Sequence, residues 1–71
     1  MTLYDLLNEG SAILLQAGDT DGENDAKLLL FEAFHLDLVH FLMDRLRPLA
    51  ENDAQVQTQI QNYRSMSEKR A

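Results

Sequence analysis

"GDTDGENDAKLLL", residues 18 to 30, is the stretch on which the fold turns. Asp19, Asp21 and Glu23 alternate like the first ligands of a calcium loop, and the segment sits between two stretches of helical periodicity. An EF-hand loop starting at Asp19 needs an oxygen ligand at position 9 and a bidentate glutamate at position 12. Those positions are Lys27, a cation, and Leu30, which has no donor oxygen. The stretch therefore reads as a helix stop, an acidic turn and a helix start. Gly18 is the left-handed stop. Asn24 or Asp25 is expected to cap the second helix, which runs to about His35.

Helical spacing continues in both directions. On the N-terminal side, Leu3, Leu6, Leu7, Ile13, Leu14 and Ala17 recur on one face of a helix spanning 3 to 17. Thr2 and Asp5 have the spacing of a capping box. Gly10 lies on the apolar face, where glycine costs about 1 kcal/mol against alanine. Close approach of another helix is its expected compensation, with a break of the helix there as the alternative. In the second helix Ala26, Leu29, Leu30, Ala33 and Phe34 form the stripe, widened by Leu28 and Phe31. That helix is expected to sit centrally, with little exposed face.

A short third helix is expected over 38 to 45, capped by Asp37, with Leu36 stapled onto Phe41. "RPL", 47 to 49, then breaks the chain, because proline disfavours a helical residue before it. The last helix starts at Glu51 or Asp53 and reaches Arg70. Its stripe is thin, with Val56, Ile60, Tyr63 and Ser67 among glutamines, and both Tyr4 and Tyr63 read as core-edge residues. It ends in "SEKRA" without a cap, as a chain that continues beyond a helix would. No segment alternates as a strand does. The expected fold is all-α, a small bundle of four or five short helices forming one domain over 1–71.

Composition narrows the function. The chain of 71 residues has no cysteine and a net charge of −6. Disulfides and thiolate metal sites are excluded, and a nucleic-acid surface is disfavoured. No apolar run approaches the roughly 20 residues of a membrane span, and a cytoplasmic location is expected. Lys27 is the only lysine or arginine before Arg45, whereas Arg45, Arg47, Arg64, Lys69 and Arg70 follow. An acidic body with a basic C-terminal segment suggests a docking polarity.

Chemical constellations are weak. Glu32 with His35 and Asp37 with His40 have the i, i+3 spacing of di-iron helices, but they lie on adjoining segments with a helix break between. "HLDLVHFLMDRL", 35 to 46, loosely resembles the segment after the prosthetic-group serine of acyl carrier proteins. His35 stands where that serine must be, so phosphopantetheine has no attachment point. No glycine-rich loop follows a strand, so no phosphate cradle is visible. No catalytic, cofactor-binding or metal-binding residue is assigned to this chain.

The order of segments is nevertheless specific. "TLYDLL" (2–7), "GENDAKLLLFEAFHLD" (22–37) and "RPL" (47–49) precede a long polar helix ending in "EKRA". This resembles the N-terminal domain of the HemK-type release-factor glutamine methyltransferases, with "DAKLLL" (25–30) the most specific match. The resemblance covers essentially the whole chain. It carries over structural positions only: Asp25, Leu28, Leu29 and Leu30 on the second helix, Pro48 and Leu49 at the turn, and Lys69 and Arg70 leading toward a catalytic domain. Ala50 departs from the pattern, where the family often has a serine cap.

The resemblance implies a substrate-recognition domain. In such enzymes a separate Rossmann-like domain transfers a methyl group from S-adenosylmethionine. The acceptor is the Gly-Gly-Gln glutamine of class-one peptide chain release factors. The glycine-rich cofactor loop and Asn-Pro-Pro-Tyr motif of that domain are absent here. The expected partners are a class-one release factor and the missing C-terminal catalytic domain, with no nucleic acid and no membrane. The alternative is a free-standing acidic helical interaction module.

Overall fold

The computed structural model describes all 71 residues. Four helices follow one another: α1 Leu3–Gln16, α2 Gly22–Phe34, α3 Leu38–Asp44 and α4 Ala54–Arg70, with no strand. α2 packs along α1, and α4 closes the bundle against both. The core is Leu3, Leu6, Leu7 and Leu14 from α1, Ala26, Leu30 and Ala33 from α2, Phe41 from α3, and Ile60 and Tyr63 from α4.

The first helix begins as its sequence dictates. The Asp5 amide donates to Thr2 Oγ1 at 3.1 Å, and the Thr2 amide donates to Asp5 Oδ2 at 2.9 Å. Two orphan amides of the helix end are thereby satisfied reciprocally. At the other end Gly18 has φ 94°. Its amide donates to the Leu15 carbonyl at 3.1 Å and that of Asp19 to Leu14 at 3.0 Å. This is the paired hydrogen bonding of a left-handed helix stop.

α2 starts earlier than the sequence suggests. Its cap position is Asp21, not Asn24 or Asp25, and the Asp21 side chain makes no capping hydrogen bond. The reason lies in packing. Gly22 is buried against the end of α1, where an added Cβ would stand 3.0 Å from both Leu15 Cγ and the Leu15 amide nitrogen. A residue expected in the turn is thus the first contact between α1 and α2. The exposed face of α2 is also wider than expected, because Leu28 is 55% exposed.

His35 ends α2 in the left-handed conformation, at φ 54° and ψ 47°. The Leu36 amide then donates to the Phe31 carbonyl at 2.9 Å. α2 therefore stops by the same left-handed device as α1, with a histidine in glycine's place. Leu36 packs on the core that contains Phe41.

The Asp37 carboxylate caps α3, accepting from the His40 amide at 2.8 Å. His40 Nδ1 lies 2.7 Å from the same oxygen. These contacts hold the Asp37 carboxyl below its ordinary value, the backbone amide contributing most. Asp53 caps α4, accepting from the amides of Gln55 (2.9 Å) and Val56 (3.1 Å). That settles the start of the helix at Asp53, whose own amide donates to the Ala50 carbonyl at 2.9 Å.

The sequence most understates α4. Tyr63 is fully buried, not at the core edge. Gly10 makes this possible, since an added Cβ there would fall 2.0 Å from the Tyr63 hydroxyl and 2.7 Å from its Cζ. Small Ala26 and Ser67 complete the enclosure, both fully buried. The phenol donates to the Ala26 carbonyl at 3.3 Å, joining α4 to α2 across the glycine of α1. Burial pushes the Tyr63 phenol up to about 12.

Candidate interaction surface

α3 is the element that does not bury what it carries. It has seven residues, LVHFLMD, and only Phe41 is buried. Phe41 meets Phe31 with ring centroids 5.4 Å apart at 51°. Leu38, Val39, Leu42 and Met43 remain 49–64% exposed, and Leu46 just beyond is 67% exposed. Apolar surface concentrated in this way makes α3 the candidate interaction face of the domain.

Both ends of α3 are fixed, so this face is a stable feature of the bundle. The Asp37 cap holds its start. At its end, the Tyr4 amide donates to the Arg45 carbonyl at 3.1 Å. An orphan donor from the first turn of α1 thus satisfies an orphan acceptor at the last turn of α3. The Leu49 amide donates to the Met1 carbonyl at 2.8 Å, tying the following loop to the same end of the bundle.

Between α3 and the rest of the bundle lies an open groove of about 480 Å³. It is lined by Leu38, Phe41 and Leu42 of α3, Arg45 and Leu46 just beyond, Tyr4 and Leu7 of α1, and Glu23 and Lys27 of α2. Val39 and Met43, four residues apart on α3 and both exposed, form a second apolar pair outside the groove.

The unpaired lysines and arginines are Lys27, Arg45 and Lys69, and of these only Lys69 is exposed. Arg64 forks onto Glu9, Nε to Oε1 at 2.8 Å and the second nitrogen to Oε2 at 3.2 Å. Arg70 reaches Asp25 at 3.3 Å, and Arg47 reaches Asp44 at 3.5 Å. Half-buried Lys27 and Arg45 take part in no ion pair. The docking polarity expected of the C-terminal segment is therefore partly spent inside the fold: Arg64 and Arg70 hold α4 to α1 and α2.

The larger hollow beside α4, about 600 Å³, has a different character. Its charged groups are already matched, Glu51 with the Met1 amine at 3.1 Å and Arg64 with Glu9.

The acidic turn that opened the reading also has internal partners. The Asp21 amide donates to Asp19 Oδ1 at 3.0 Å, and Asn24 Nδ2 donates to Asp21 Oδ2 at 3.5 Å. A hydrogen bond with Asp25 raises the Asp19 carboxyl above its ordinary value and lowers that of Asp25. No three histidines or carboxylates come close enough together to form a metal site. Glu32 and His40 lie on separate exposed turns of the surface. No helix is long and apolar enough to cross a membrane.

Reading the sequence alone singles out none of the α3 residues as functional. A signal was present: "LDLVHFLMDRL" (36–46) has seven apolar residues among eleven, spread round all but the stripe of Asp37, His40 and Asp44. A helix of that kind is ordinarily buried, and a bundle of this size has no room to bury it.

The fold and this face define the class: a small all-α domain of four helices with one apolar helix face left in solvent. The chain belongs to the PrmC N-terminal domain family, whose pattern it matches over residues 5–71. That family is the N-terminal, non-catalytic part of PrmC-type enzymes. No curated protein and no solved structure matches the chain.

Proposed function

We propose that this domain recognises the substrate of a protein-glutamine methyltransferase. It holds a class-one peptide chain release factor while a catalytic domain of the same enzyme methylates the Gly-Gly-Gln glutamine. S-adenosylmethionine is bound by that other domain. Family membership over nearly the whole chain carries the reading. The exposed face of α3, with the groove beneath it, supplies the surface on which a release factor docks.

The division of labour follows from the side chains. The well-packed part of the bundle, α1 with α2 and α4, fixes the geometry. α3 presents the contact. Apolar burial gives affinity, at about 25 cal/mol per Å² removed from water, and charge at the rim sets orientation and encounter rate.

The test is binding and turnover measured on the same sample. The 71-residue chain is titrated with a class-one release factor, then incubated with it and labelled S-adenosylmethionine. Saturable binding that weakens with salt, without label transfer, is the expected result. Methyl transfer by the chain alone, or no binding, contradicts the reading.

A free-standing interaction module is the second reading. It is favoured by one observation, that ten buried apolar residues form one continuous core within this bundle. The reading frame after Ala71 discriminates: a continuation with a glycine-rich loop and Asn-Pro-Pro-Tyr supports the first reading, a stop codon the second.

A further inference from the structure

Two cations are left over where apolar surface is also left over. Lys27 and Arg45 border the α3 groove, both half-buried and neither in an ion pair. The one carboxylate bordering it is Glu23, so the rim carries two positive charges against one negative in a chain of net charge −6. Elsewhere Arg47, Arg64 and Arg70 each have a carboxylate, and the remaining cation, Lys69, is exposed near the end of α4. Glu23 stands one turn before Lys27 on α2 without pairing to it, and Arg45 adds a second cation, so the rim keeps an excess of positive charge that carboxylates of a partner would complement.

We propose that the groove takes an amphipathic helix whose apolar face is bordered by carboxylates. Its apolar side chains lie against Leu38, Leu42 and Tyr4, and its carboxylates pair with Lys27 and Arg45. This rests on the docking role of the α3 face and names the chemistry of what docks there. Apolar anchors at i, i+3 or i+4 and i+7 are how a helix fills such a groove.

The same charges argue against a second copy of this chain as occupant. A symmetric pair places the same patch on both sides of the interface. The only carboxylate on that patch is then the other copy's Glu23, one per chain against the two cations Lys27 and Arg45. An α3-to-α3 dimer would cover the leucines but leave one cation per chain unmatched.

The experiment uses two synthetic helical peptides with the same leucine face. One has glutamates along its borders, the other lysines in their place. Each is titrated into the ¹⁵N-labelled chain, and into a Lys27→Glu, Arg45→Glu double variant. The glutamate peptide is expected to bind at least about tenfold more tightly than the lysine peptide, which corresponds to about 1.4 kcal/mol. Its shifts should centre on Tyr4, Lys27 and α3, and the double variant should reverse the preference. If that variant does not fold, the two peptides on the unaltered chain still decide. Equal or tighter binding of the lysine peptide, shifts centred on another face, or self-association through α3 with neither peptide bound overturns the proposal. Release factor is titrated in parallel. Release-factor binding with no preference between the peptides removes this proposal and leaves the docking role. Glutamate-peptide binding in the groove with release factor ignored does the reverse.

Discussion

α3 and α4 invert the usual relation between composition and burial. α4 is rich in glutamine and looks like a solvated helix, yet it inserts Ile60, Tyr63 and Ser67 completely or almost completely into the bundle. α3 is nearly all apolar, yet only Phe41 enters the core. The difference is one of fit. α4 meets a glycine on α1 and an alanine on α2, so a single tyrosine fills the space and satisfies its hydroxyl there. α3 is short and fixed at both ends, and one aromatic ring is all that reaches inward. Apolar residues on a small domain therefore divide into those that hold it together and those kept outside for something else.

The largest expected effect comes from breaking the α4 side of that contrast. Tyr63→Ala removes a fully buried aromatic and should cost about 3–5 kcal/mol. That is comparable to the whole stability expected of a domain this size, and urea unfolding monitored by circular dichroism should show loss of the cooperative transition. Gly10→Ala attacks the same contact from α1. The added methyl gains helix propensity but collides with the Tyr63 ring, and a net loss of about 2 kcal/mol is expected. A gain in stability would show that Tyr63 is not held against the α1 backbone.

Tyr63→Phe is gentler, at about 1 kcal/mol for the lost hydrogen bond, and it carries a pH signature. The folded phenol is raised from 10.0 to about 12. The protonated form is thus the one favoured by folding. Its contribution is fully present below pH 10.0, the unfolded value, and is lost as pH rises toward about 12. Unfolding curves between these limits should fall more steeply for the unaltered chain than for Tyr63→Phe.

An effect of similar size and opposite sign is expected where the chain enters α3. His35 holds a left-handed conformation that glycine adopts without cost. His35→Gly should raise stability by about 1 kcal/mol. A loss would mean that the imidazole makes a contact worth more than the backbone relief. Smallest of all, Val39→Ser and Met43→Ser should each change stability by no more than about 0.5 kcal/mol, as surface substitutions do. The α3 side of the contrast fails if either loses several times that amount.

Much of the bundle was legible in the sequence because short-range chemistry dictates it. The Thr2–Asp5 box, the Gly18 stop and the Asp37 cap each depend on neighbours within a few residues, and each is present. The close approach at Gly10 was legible as well, since a glycine on an apolar face needs a compensating contact. Its partner was not, because Tyr63 lies 53 positions away and no local pattern names it. The start of α2 was missed because Gly22 reads as a turn residue, and only its fit against Leu15 makes it helical. The interaction surface was hidden for the converse reason. Apolar periodicity says which residues avoid water, but whether this chain or another covers them depends on how much room the bundle has.

The central claim is that the face of α3 is kept uncovered in order to bind. Chemical-shift mapping of the ¹⁵N-labelled chain with a class-one release factor tests it most directly. Shifts concentrated on Tyr4, Lys27 and the exposed residues of α3, with the α4 glutamines unmoved, are the predicted result. Shifts centred on the exposed face of α4, with α3 unchanged at saturation, would contradict it.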